Sequence, residues 1–87
     1  MKMDKNKEID IIINEILKAK RMYDLDDYII IKINIDADNG NKDYDIQTIA
    51  DDRIHDIENT RNIVVLNKVM EYLLNNGFVI DFDCERY

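Results

Sequence analysis

From residue 8 to residue 23 the apolar positions Ile9, Ile12, Ile13, Ile16 and Leu17 follow the i, i+3, i+4, i+7, i+8 spacing of one helical stripe. Asp4 is available to cap the start. The stretch "YDLDDY" at 23–28 breaks this period and reads as a loop. From Tyr28 the period becomes two. Ile29, Ile31, Ile33 and Ile35 face one way, while Tyr28, Ile30, Lys32, Asn34 and Asp36 face the other, which predicts a half-buried strand rich in β-branched residues.

Asn39-Gly40 is the preferred pair for a type I′ hairpin turn, whose two central positions both need positive φ. A return strand is expected from about Lys42 to Ala50, with Ile35 facing Tyr44, Ile33 facing Ile46, Ile31 facing Thr48 and Ile29 facing Ala50. On the other side the same register sets Asp36 across from Asp43 and Asn34 across from Asp45. Residues 51–59, "DDRIHDIEN", fit either a short helical turn or an irregular edge. A second helix is expected from about Thr60 on the stripe Val65, Leu66, Val69, Met70 and Leu73, capped by Asn59 or Thr60. Gly77 ends it, with Phe78 making the hydrophobic contact of a Schellman cap.

The last residues alternate again. Phe78, Ile80, Phe82 and Cys84 lie inward, and Val79, Asp81, Asp83, Glu85 and Tyr87 outward. The order is therefore α-β-β-α-β: one α+β domain over residues 1–87, with a three-stranded antiparallel sheet in the order 2-1-3 and both helices on one face.

Composition adds a charge question. Nineteen acidic residues against twelve basic ones give a net charge of −7, and fourteen of the acids are aspartate. Part of this is an Ile-, Asn-, Lys- and Asp-rich composition of the kind AT-rich coding produces. Aspartate nevertheless suits turns, caps and exposed strand positions better than helices. The sign of the charge argues against direct nucleic-acid binding, which draws its affinity from phosphate contacts. Cys84 is the sole cysteine, so no internal disulfide forms, and no apolar run approaches a membrane span or a signal-peptide core. The expected setting is cytoplasmic, the host cytoplasm if the chain is phage-encoded, without membrane contact.

Candidate chemistry is sparse. The stretch "DADNGNKDYD" can be laid on a calcium loop with Asn34, Asp36, Asp38 and Asp45 as oxygen donors. That alignment sets Asn39 where the loop needs glycine and Lys42 at a ligand position, so a hairpin without metal is the expected reading. There is no serine nucleophile, and Gly40 and Gly77 are each used by a turn or cap. Cys84 is expected to be a buried, inert thiol. His55 lies among Asp51, Asp52, Asp56 and Glu58, which favours its charged form on the surface. No enzymatic activity, cofactor or metal is expected.

The acids remain. The predicted outer sheet face carries Asp36, Asp43, Asp45, Asp81, Asp83 and Glu85, flanked by Tyr28 and Tyr87. Like charges opposite one another destabilise a sheet, so a face that tolerates them is suited to meeting a cationic partner. It also suits plain solvation. The acidic chain with its "IIIKINIDADNGNKDYDI" hairpin and a later helix closing in "NNGF" resembles the small Cas9-inhibiting anti-CRISPR proteins of phages. The likeness covers about half the chain, chiefly Ile30–Ile46 with Asn76, Gly77 and Phe78, and departs from it in ending on a strand.

The resemblance implies an acidic inhibitor that occupies the basic nucleic-acid cleft of a CRISPR effector or other host nuclease. The partner-binding residues would then be Asp36, Asp38, Asp43, Asp45, Asp81, Asp83 and Glu85, with Tyr28 and Tyr87 beside them and Asp51, Asp52, Asp56 and Glu58 as a second cluster. The alternatives are an association module, a homodimer or a subunit of a larger complex, using Ile30, Ile49 and Val79, and a weak divalent-metal binder through the hairpin.

Overall fold

Most of the stretch 51–59, which fits two readings in the sequence, belongs to a strand that runs from Arg53 through Thr60, where the helix is expected to begin, and this one element changes the topology. The computed structural model describes residues 4–23 and 26–87, so Asp24 and Leu25 of the expected loop lie outside the described residues. The order is α1 (Lys5–Tyr23), β1 (Tyr28–Ile35), β2 (Lys42–Ala50), β3 (Arg53–Thr60), α2 (Ile63–Asn75) and β4 (Val79–Arg86). The strands form one four-stranded sheet in the order β3-β2-β1-β4. The α+β class holds, but the sheet is mixed instead of three-stranded and antiparallel. The last strand does lie beside β1. Because β3 reverses the chain once more before α2, however, β4 arrives parallel to β1.

The type I′ turn lies at a different place from the one expected. Asp51 (φ 53°) and Asp52 (φ 61°) are the two positive-φ residues between the paired Ala50 and Arg53. In the β1–β2 hairpin only Gly40 (φ 73°) has positive φ. There the Asp36 carboxylate accepts from the Asp38 N–H at 3.0 Å and the Asn39 side chain from the Asn41 N–H at 2.9 Å. The Gly40 N–H donates to the Asp36 carbonyl at 2.8 Å. Local side-chain acceptors thus stabilise a longer loop over a two-residue turn.

The consequence is a register two residues away from expectation, with Ile33 beside Tyr44, Ile31 beside Ile46 and Asn34 beside Asp43. A shift of two leaves every side chain on its predicted face. The expected Asp36–Asp43 opposition does not form.

Both helices cover the inner face. Ile12 and Ile16 of α1 and Val65, Leu66, Val69 and Leu73 of α2 pack with Ile29, Ile31, Tyr44, Ile46 and Phe78. Full burial of such a side chain is worth about 1.5–3 kcal/mol each, so this cluster supplies the main driving force. The Asp4 side chain accepts from the Asn6 N–H at 2.9 Å, capping α1 as expected. Asn62, not Asn59 or Thr60, caps α2, accepting from the Val64 and Val65 N–H groups at 3.0 and 3.4 Å. Thr60 stands two residues before the cap, its Oγ1 accepting from the Asn62 N–H and donating to Glu8. The Schellman cap forms as expected: Phe78 N–H donates to the Leu73 carbonyl at 2.9 Å and Gly77 N–H to Leu74 at 3.3 Å.

Candidate functional site

Nothing packs on the outer face of the sheet among the described elements, and the register arranges its side chains in rows. Glu85 lies beside Asn34 and Asn34 beside Asp43; Asp83 beside Lys32, Lys32 beside Asp45 and Asp45 beside Asn59. The next row runs Asp81, Ile30, Gln47 and Asp56. At the far end Val79 lies beside Tyr28, and Ile49 beside Ile54. One end of the face is therefore acidic and the other apolar.

Within the acidic end, two asparagines knit the carboxylates together. The Asn34 amide donates to Asp43 Oδ1 at 2.8 Å and to Asp45 Oδ2 at 2.7 Å. From β3 the Asn59 amide donates to Asp43 Oδ1 at 3.0 Å and to Asp45 Oδ1 at 2.7 Å. Four N–H donors thus saturate one side of the two aspartates, which is how neighbouring anions share a sheet. The Asn34 and Asn59 bonds hold the Asp43 carboxyl below its ordinary range, and the nearby Arg61 charge acts in the same direction. Asn34 itself is 9% exposed.

Lys32 stands in the middle of the face. Its ammonium pairs with Glu85 at 2.5 Å, and this bond, with the further charges of Asp45 and Asp83, raises its pKa. Tyr28 donates its hydroxyl to Asp81, and that bond is the main reason its pKa lies above the ordinary phenol value. From β2 the Gln47 amide donates to Asp56 of β3 at 2.6 Å.

The expected site residues therefore divide. Asp43, Asp45, Asp81, Asp83, Glu85, Asp56 and Tyr28 share the outer face. Asp36 and Asp38 lie in the β1–β2 loop at its acidic end, where Tyr87 joins them: its N–H donates to the Ile35 carbonyl and its own carbonyl accepts from Ala37. A shallow recess there is lined by Asp36, Asn39, Asp43, Arg61 and Tyr87. Asp51 and Asp52 occupy the turn at the opposite, apolar end and are not part of this cluster. Glu58 is on the other face, beside Ile11 and Ile12 of α1. The reason is a bulge: Ile46 pairs with Glu58 and Gln47 with Asp56, so Ile57 is an extra residue that turns Glu58 inward.

Two further expectations are corrected. Cys84 is exposed rather than buried, on a strand at the edge of the sheet. His55 points inward, stacked on Tyr23 with ring centroids 5.0 Å apart and its Nε2 3.2 Å from the Ala50 carbonyl. Among the described residues no cluster of three or more His, Cys, Asp or Glu is arranged to hold a metal ion, and no helix is long and apolar enough to cross a membrane.

Comparison with family models, curated proteins and solved structures finds no match to this chain.

The residues that organise this face, Asn34, Asn59 and Lys32, were absent from the predicted site. An uncharged amide alternating among aspartates on a strand was the available signal for Asn34.

Proposed function

We propose that this chain is a non-enzymatic acidic inhibitor that docks the outer face of its sheet on the basic nucleic-acid cleft of a protein partner, a CRISPR effector or another nuclease, and so blocks DNA or RNA engagement. The observation that supports this reading best is the double bridging of Asp43 and Asp45 by Asn34 and Asn59. It keeps two carboxylates fixed side by side on an open surface, with Asp81, Asp83 and Glu85 on the same plane. Fixed anions lose little freedom on meeting Arg or Lys, and their field steers a cationic partner inward. The resemblance to anti-CRISPR proteins names the most specific form of the reading.

The test is competition. A guide-loaded RNA-guided nuclease and unrelated basic nucleases are assayed for cleavage with and without the protein, across a salt series. Salt-sensitive inhibition that disappears in Asp43→Asn/Asp45→Asn/Asp83→Asn is expected; asparagine keeps one acceptor oxygen at each position, enough for both amide bonds at Asp43 and for one of the two at Asp45, and circular dichroism checks that the variant is folded. Equal potency of that triple variant would refute the face.

A second reading is favoured by the apolar end, where Ile54 is 63% and Val79 59% exposed, with Ile49 between them in the rows. There the protein would be an association module, pairing with a second copy or a larger complex through Ile30, Ile49, Ile54 and Val79. Sedimentation resolves the two: a dimer abolished by Ile54→Lys and indifferent to salt supports association.

A further inference from the structure

We infer that the free edge of β4 accepts an extended segment of a partner chain in which basic and apolar side chains alternate. The backbone is the first argument. Val79 and Tyr87 donate their N–H groups to Asp27 and Ile35, so the odd-numbered residues of β4 direct their polar groups at β1. Ile80, Phe82, Cys84 and Arg86 accordingly direct theirs away from the sheet, and no described strand pairs with that side. The Cys84 N–H is covered only by the neighbouring Asp83 carboxylate, at 2.9 Å.

Side chains supply the second argument. On the helix side Ile80, Phe82 and Cys84 form an apolar row, and Phe82 is left 62% exposed because α2 does not cover it. On the outer side Asp81, Asp83 and Glu85 form an acidic row. An added strand would therefore meet apolar groups on one of its faces and anions on the other, and strand addition draws affinity from the main chain and specificity from those alternating contacts. The same acidic row disfavours a second copy: antiparallel pairing of two β4 edges brings Asp81, Asp83 and Glu85 against their equivalents. Charge thus selects a basic partner over self-association.

The inference rests on the proposed reading for one thing, the basic character of the partner. Its test is separate. The probe is an acetylated, amidated peptide alternating Lys and Val, titrated into isotope-labelled protein, together with two versions of it N-methylated at every second amide in the two possible phases. One methylated phase is expected to bind like the parent and the other roughly tenfold or more weaker, with the largest amide changes at Ile80, Phe82 and Arg86. Phe82→Lys, at an exposed position, should weaken the parent peptide comparably.

Equal binding of both methylated phases, changes confined to β3, or no binding would each overturn the inference. Peptide addition without nuclease inhibition leaves the edge standing and removes the inhibitor reading; inhibition without peptide addition does the reverse.

Discussion

Asn34 donates to Asp43 at 2.8 Å across the β1–β2 pair, and its second amide hydrogen reaches Asp45, two residues further along β2. A neutral amide here holds two anions together without cancelling the charge of either, which a lysine would do. Asn34→Ala should therefore destabilise the fold by about 2 kcal/mol, the cost of losing buried hydrogen bonds to charged groups. Urea unfolding measures it. Most of the loss should be recovered when Asp43→Asn and Asp45→Asn are added, because the unscreened repulsion goes with the charges.

The pH dependence has two limbs of opposite origin. Asp43 has its folded pKa depressed, first by Asn34 and then by Asn59. Its contribution is present above the unfolded carboxylate value of about 4 and is lost as pH falls through the lower folded value. Lys32, through Glu85, and Tyr28, through Asp81, have raised folded values. Their contributions are complete below the unfolded values near about 10 and are lost as pH rises through the folded ones. Stability should thus hold between about pH 4 and pH 10 and fall outside it. Asp43→Asn should flatten the acid limb and leave the alkaline limb alone. A gain in stability on acidification would mean that carboxylate repulsion outweighs the amide bridges.

Lys32 is the cation built into the acidic end, beside Asp45 and Asp83 and paired with Glu85. Lys32→Gln should cost some stability yet speed association with a basic partner several-fold at low salt, with a steeper salt dependence, since the local field becomes more negative. Stopped-flow association rates at two ionic strengths decide it. An unchanged rate would make the face a solvated surface with no steering role.

The alternation of β1 and β4 revealed which residues lie outward, and that survived a wrong register, because a slip of two residues preserves faces. Asp43 and Asp45 therefore lie on the face that the sequence predicts, beside Asn34 and Lys32 in place of Asp36 and Asn34. The register itself depended on whether Asp36 and Asn39 would bond their own backbone, a choice among conformations close in energy. β3 was hidden for a different reason: "RIHDIENT" carries a bulge at Ile57 that shifts the two-residue period midway, so neither template fits. Missing that strand also inverted the direction of β4, since each hairpin reverses the chain. Phe82 and Cys84 followed the inward pattern and yet are exposed; alternation gives direction, whereas burial depends on how far α2 extends.

Asp51 and Asp52 both adopt left-handed backbone in the β2–β3 turn, a conformation that Asn-Gly holds with less strain. Replacing them, Asp51→Asn/Asp52→Gly, should stabilise the protein by about 1 kcal/mol. For a domain of this size that raises Tm by roughly 4–8 °C. The same change removes two charges at the end of the sheet away from Asp43, Asp45 and Glu85. If the acids act through their place on the outer face, inhibition should persist at unchanged potency in the stabilised variant. If net charge alone attracts the partner, potency should fall as it does on neutralising any two aspartates. Thermal unfolding and the cleavage assay on this one variant therefore separate a shaped anionic surface from a merely acidic protein.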